Sequence, residues 1–333
     1  MLSTDMNSTS IANHELEPRS SITGSPVVLN YRDLLAHSFR PSETLLSPWL
    51  ISQSLSMVHA WRGVGKTHFA LGVAYAVASG GSFLRWTAAV PRRTLYIDGE
   101  MPGARIQERI AAIVAGTDRQ PPSPDFLQFI TPDTQDGPIP DISTRRGQDA
   151  IDRIVHDETA LIVVDNLSSL ARSGGAENES ESWLPVADWA LRQRTHGRSV
   201  LFIHHSGKGG QQRGTSKKED LLDTVIALKH PEGYTPEMGA DFTVKFEKSR
   251  HLFGRDTAGF EARLITDKQG RQAWEVEELT ESNYDRVVKL ANDGHSQAAI
   301  VKQLKIHKSN VSRAWTKAIA NGDITPEAIK SAS

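Results

Sequence analysis

Cysteine is absent from all 333 residues. Disulfides and thiolate metal sites are therefore excluded, which suits a reducing compartment. Long apolar runs are missing as well. The most apolar stretch, residues 69–78, is far shorter than the roughly 20 residues that a bilayer crossing requires. The first 28 residues mix acids, Ser and Asn around no apolar centre, so no signal peptide is expected, and the chain reads as cytoplasmic with no membrane partner. Nor is there a strong charge of one sign: 38 Lys and Arg against 40 Asp and Glu leave a net −2. The balance is uneven, however. Between residues 284 and 320, seven Lys and Arg face two acids, so a basic segment sits on an otherwise acidic body and suggests nucleic-acid contact near the C-terminus.

What is present is a repeating order of strand, loop and helix. Residues 1–28 read as a disordered tail, and residues 31–52 as a short helix with a lead-in. The apolar runs at 55–60, 94–97, 161–164 and 200–203 carry no charge and do not alternate. Such runs belong to strands covered on both faces of a parallel sheet. Helical patterns lie between them at 67–78, 104–115, 144–155 and 181–194. Right-handed crossovers then give an α/β, doubly wound, mostly parallel sheet. A strand at 127–130 interrupts a segment rich in Pro and Asp. The Gly- and Lys-rich stretch 206–218 reads as a mobile loop. Alternating segments at 242–246, 260–265 and 273–276 predict an antiparallel extension of the sheet.

Between the first strand and helix stands Ala60-Trp-Arg-Gly-Val-Gly-Lys-Thr67. This is the setting of a phosphate loop, in which backbone N–H groups and a helix N-terminus cradle phosphates. Arg62, Gly63, Val64, Gly65, Lys66, Thr67 and His68 are the candidate nucleotide contacts, with ATP and Mg²⁺ as the expected ligands. Lys66 would reach the β- and γ-phosphates, and the Thr67 hydroxyl would bind the metal. Ala60 stands where the full pattern has Gly. The run Leu161-Ile-Val-Val-Asp165 has the form of a Walker B strand, so Asp165 is the second candidate for the Mg²⁺ shell. Leu95-Tyr-Ile-Asp-Gly-Glu100 ends another strand in two acids: Glu100 is positioned to polarise an attacking water, and Asp98 to orient the loop or the metal. The plainer readings are a chance match, a capping Asp and a solvated strand end.

Residues 54–265 resemble the RecA-like ATPases, and in particular the RepA-type hexameric replicative helicases of plasmids and mobile elements. In that superfamily the catalytic glutamate follows the second strand. Here Asn166 follows Asp165, while Glu100 closes its own strand, which favours RecA-like over AAA+ chemistry. The resemblance implies further roles. His204 or His205, in Phe202-Ile-His-His-Ser-Gly-Lys208, would sense the γ-phosphate. Lys208 and Arg213, in or beside the loop 206–218, would contact DNA, with subunit contact as the other role for Arg213. Lys248 and Arg250 would form a K-x-R pair reaching into a neighbouring subunit, with Arg250 as the arginine finger and Lys248 assisting. The family expectation is a homo-oligomeric ring, a hexamer.

The chain is thus expected to divide into a tail (1–28), a RecA-like ATPase domain (29–280) and a small all-α helix-turn-helix domain (281–333). In the last, Ser296 caps a second helix, and Val311, Trp315 and Ile319 are expected inward on a third. Ser309, Asn310, Arg313 and Lys317 then face DNA. The leading expectation is an ATP-driven motor on single-stranded or duplex DNA, a ring helicase or replication accessory protein. The others are an ATP-switched DNA-binding regulator or recombination mediator, and a signalling or defence ATPase. No acceptor-binding signature supports a metabolic kinase.

Overall fold

The computed structural model describes residues 26–173, 179–206, 220–231, 233–279 and 283–325. Most of the expected tail, and the whole of 207–219 with Lys208 and Arg213, lie outside the described residues. The chain divides into two compact units, 1–41 and 42–333. The first holds helix α1 (Tyr31–Ala36), opened by the Asn30 side chain accepting from the backbone N–H of Arg32 and Asp33 at 2.9 and 3.0 Å. No residue of α1 is buried.

The second unit opens on a short antiparallel pair, β1 (Thr44–Leu46) and β2 (Leu50–Ile51), followed by β3 (Leu55–Ala60) and α2 (Lys66–Ser79). A second small hairpin, β4 (Ser82–Phe83) and β5 (Trp86–Thr87), leads into β6 (Arg93–Asp98), α3 (Gly103–Ala115) and β7 (Leu127–Ile130). Then come α4 (Arg145–Asp152), β8 (Thr159–Asp165), α5 (Leu167–Leu170), α6 (Glu179–Thr195), β9 (Ser199–His205) and β10 (Thr224–Lys229). Three strands follow: β11 (Asp241–Ser249), β12 (Phe260–Thr266) and β13 (Gln272–Glu278). The C-terminal helices are α7 (Asn283–Asn292), α8 (Gln297–Leu304) and α9 (Lys308–Asn321).

Nine strands form one sheet in the order β13-β12-β11-β10-β3-β9-β8-β6-β7. From β10 to β7 every pair is parallel, and β10 to β13 pair antiparallel. Successive residues of a strand point to opposite faces, and here both faces are covered. Val58, Tyr96, Val163 and Leu201 join a core with α2 and α3. Met57, Ile97, Val164 and Phe202 join another with α4, α5 and α6. This doubly covered burial is why those strands read as unbroken apolar runs. The fold is mixed α/β, with one large sheet that is parallel through its centre.

The antiparallel strands are fastened to α2 by aromatics. Trp86, fully buried, has ring centroids 5.7 Å from Phe69, 5.4 Å from Phe260 and 5.4 Å from Trp49. The tilted and edge-on geometries are those that aromatic quadrupoles favour. Neither small hairpin was expected from the sequence; each supplies a Trp to this cluster.

The last three helices share a core of their own, with Val287, Ile300, Val311 and Trp315 buried. Ser296 caps α8, accepting from the Ala299 N–H at 3.4 Å. One expectation is corrected. Ile319 is exposed, and Ala318 takes the inward place, because at about 100° per residue the stripe through 311 and 315 drifts off its axis by 319.

Candidate functional site

Parallel strands finish on one side of a sheet, and a crevice opens there when consecutive strands are not neighbours. After β3 the chain runs through α2 to β6, with β9 and β8 lying between them. The register places Ala60 beside His205 and Asp98 beside Asp165. A cleft of about 610 Å³ opens at this edge, bordered by Lys66, Thr67, Asp98, Glu100, Asp165 and His205.

The loop from β3 to α2 depends on two glycines. Gly63 and Gly65 have φ of +83° and +114°, where a side chain is strained. A Cβ on Gly65 would also sit 3.2 Å from the Phe242 ring. Val64 is buried in the core and anchors the loop. Arg62 is exposed and stands outside the cleft lining, while His68 borders it. The Lys66 ammonium donates to the carbonyls of Ala60 and Trp61 at 3.0 and 2.9 Å. Burial lowers its pKa to about 8 against the pull of Asp165 and Glu100, which favour the charged form. Burial and the nearby Arg109 guanidinium take His68 down to about 4.

The acids are crowded. Asp165 is buried, and its carboxylate accepts from the Tyr96 hydroxyl at 2.6 Å and from Thr67. Burial raises its pKa, and these hydrogen bonds oppose the rise. Asp98, also buried, is pushed up to about 7 by burial and by the Asp165 charge. It accepts from the backbone N–H of Glu100 at 3.2 Å and Met101 at 2.7 Å, so it orients the turn that carries Glu100. The Glu100 carboxylate accepts from the Asn166 amide and lies 3.7 Å from the His205 Nε2. Among the described residues no group of three acids or histidines is placed to hold a metal ion; Asp165 and Thr67, hydrogen-bonded to each other at the helix N-terminus, could supply two oxygen ligands to a divalent cation.

His205 alone of its pair borders the cleft; His204 is buried and lies outside the lining. Burial and the Lys66 charge lower the His205 pKa. Three residues at the site were missed from the sequence: Arg109 and Tyr234 border the cleft, and Tyr96 lies buried behind Asp165. Tyr96 signals itself weakly, as a hydroxyl two places before an acid in an aliphatic strand. Arg109 lies on α3 beside Ile106, Ile110 and Ile113 of the apolar stripe, and its charge reaches Asp165 and Asp98. Tyr234 comes from the loop before β11, and no motif marks it.

Lys248 and Arg250 are elsewhere. β11 runs back along β10, so Thr224 pairs with Ser249 and with Ser56, at the opposite end of the sheet from Ala60. Arg250 donates to the Asp220 carbonyl at 2.6 Å and lies 3.6 Å from the Asp223 carboxylate. On α9, Ser309, Asn310, Arg313 and Lys317 are exposed. Arg313 donates to the Asn310 side chain at 2.6 Å, and the Lys317 ammonium lies 5.3 Å from the centre of the Tyr284 ring.

No curated protein matches the chain. Among solved structures it is similar to a KaiC-like protein of the hyperthermophilic archaeon Pyrococcus horikoshii OT3, at 15% identity and a TM-score of 0.44, over 67% of this chain and 90% of that one. It is also similar to the RadB recombinase, at 16% identity and a TM-score of 0.44, over 69% of this chain and 92% of the other. Residues 23–211, more than half of the sequence, match the family described as AAA domain. That span holds the phosphate loop and both acidic strand ends, and the chain belongs to the AAA domain family, with the P-loop of a nucleotide-hydrolysing ATPase.

Proposed function

We propose that the chain hydrolyses Mg-ATP to drive a ring-shaped motor on DNA, as a helicase or replication accessory protein of a mobile element. The observation that carries the ATPase reading is the convergence of Lys66, Thr67, Glu100 and Asp165 on one cleft. In this reading the backbone N–H groups of residues 62–67 and the Lys66 ammonium hold the β- and γ-phosphates. Thr67 and Asp165 would hold Mg²⁺, which neutralises charge on the triphosphate when bound. Glu100, steadied by Asn166, accepts a proton from the attacking water. His205 stands at the end of β9, where it reports the γ-phosphate to the chain beyond residue 206.

The proposed division makes residues 29–280 the ATPase body and 281–333 a helix-turn-helix that contacts DNA through Ser309, Asn310, Arg313 and Lys317. Lys208 and Arg213 would meet the single strand. Cytoplasmic location follows from this role; among the described residues no helix is long and apolar enough to cross a membrane. The test is ATP turnover at low salt with and without single-stranded DNA. Stimulation supports a motor, and its absence removes one.

The separate core of α7, α8 and α9 favours a second reading, in which ATP sets the assembly of a duplex-binding regulator or recombination mediator. A sequence-specific footprint without strand separation selects that reading.

A further inference from the structure

The loop between β10 and β11, residues 230–240, lies at the phosphate-loop end of the sheet, because Leu228 pairs with Ala60. The Ala240 Cβ is 3.4 Å from where a Gly65 Cβ would stand. This loop is held by its own bonds. The Tyr234 hydroxyl donates to the Gly239 carbonyl at 3.0 Å, and the backbone turns through Pro236–Met238. The Tyr234 and His230 rings stack with centroids 3.5 Å apart and planes 14° from parallel. His230 is tied in turn through its Nδ1 to the Asp241 carbonyl at 3.1 Å. One face of Tyr234 is thus covered, and the half-buried ring borders the cleft.

An aromatic ring fixed at its hydroxyl and backed by a second ring is a preorganised surface, and little rotamer freedom remains to be lost when a flat ligand binds. Its distance from the acids also matters. From β8, which ends in Asp165, to β10, which leads into the Tyr234 loop, is three strand spacings, about 14 Å, a span comparable to that of an extended nucleoside triphosphate. We propose that Tyr234, backed by His230, is the platform on which the base of the bound nucleotide stacks, the triphosphate running from there over Lys66 toward Glu100. The inference rests on the Mg-ATP reading of this cleft and adds the base subsite. A ring face reads stacking area rather than the donors and acceptors on a base edge, so the ligand class is a nucleoside triphosphate held by the face of its base, with ATP and GTP bound alike.

The test compares Mg-ATP with Mg-tripolyphosphate, which lacks base and sugar, by calorimetry on the full chain. Tyr234→Ala is expected to weaken ATP by about tenfold, ~1.4 kcal/mol, and to leave tripolyphosphate within about twofold. Tyr234→Trp is expected to keep ATP near the wild-type affinity. If Tyr234→Ala binds ATP as the wild type does, the platform is overturned. If the wild type binds neither ligand, it is the Mg-ATP reading that fails. Photolabelling of the wild type with 2-azido-ATP needs no variant: label on the peptide spanning 233–240 supports the platform, and label confined to the peptide spanning 101–109 overturns it.

Discussion

Asp98 and Glu100 stand two residues apart in different surroundings, Asp98 buried and Glu100 largely exposed. Asp98 holds its proton in the folded chain up to about pH 7, against an ordinary value of 3.8, chiefly because it is buried and then because Asp165 is near. The folded state therefore binds more protons than the unfolded state between these values, and stability falls as pH rises through the interval. Asp98→Asn removes that dependence, and its amide oxygen can still accept from the Glu100 and Met101 N–H groups. In metal-free buffer the variant is expected to be more stable than the wild type at pH 8, by about 2–4 kcal/mol, and no more stable at pH 4. Denaturant melts at the two pH values check this, and equal curves at pH 8 would refute the assignment. Glu100 is largely exposed and bonds to Asn166, so it is free to serve water. Glu100→Gln is expected to bind Mg-ATP as the wild type does while single-turnover hydrolysis drops by about 10²–10⁴-fold; turnover within a few-fold of the wild type would remove the glutamate from that role.

At the scale of elements, β3 does more than present the phosphate loop. His59, buried in its penultimate position, contacts the Ser206 hydroxyl through Nδ1 at 2.8 Å and the Glu247 carboxylate through Nε2 at 2.8 Å. It thus ties the end of β9, just past His205, to β11, the strand that leads to Lys248 and Arg250. Removing the ring leaves a hydroxyl without its partner, a carboxylate without its donor and a void. His59→Ala is accordingly expected to cost about 2–3 kcal/mol in denaturant unfolding, and a loss below about 1 kcal/mol would mean that water replaces the imidazole without penalty. None of this was legible in the sequence, where His59 is one polar residue in an apolar run. The strands themselves were legible, since burial on both faces leaves a continuous apolar signature. So were Lys66, Thr67, Glu100 and Asp165, since a loop between strand and helix and an acid at a strand end are local patterns. The hairpins carrying Trp49 and Trp86 were hidden because their strands, two or three residues long, show no period; the Tyr96 contact to Asp165 and the approach of Tyr234 were hidden because each joins residues far apart in the chain. Ile319 was misplaced for a smaller reason: a spacing of four drifts around a helix that turns every 3.6 residues.

For the whole molecule, the position of Arg250 decides what kind of assembly can work. Within one chain it lies roughly 13 Å along the strands from Ala60 and about 10 Å across them, fastened to Asp220 and Asp223, and Asp223 is also paired with Arg194. No arginine rotamer carries it from there to its own triphosphate. If Arg250 stabilises the transferring phosphoryl group, it does so for the next copy, in a head-to-tail interface that a ring closes. Arg250→Ala is then expected to bind Mg-ATP normally and to lose hydrolysis by about 10³-fold or more. Glu100→Gln subunits are expected to be inactive for the opposite reason, keeping the arginine and lacking the proposed base. In a mixture of equal parts, random assembly puts a Glu100 site against an intact Arg250 at about a quarter of interfaces, so activity is expected to climb from near zero to about a quarter of the wild-type rate per subunit. Such rescue has no explanation in a monomer. Mixtures that stay as inactive as their components, with subunit exchange verified by mass, would instead leave Arg250 as a structural partner of Asp223 and remove the requirement for a ring.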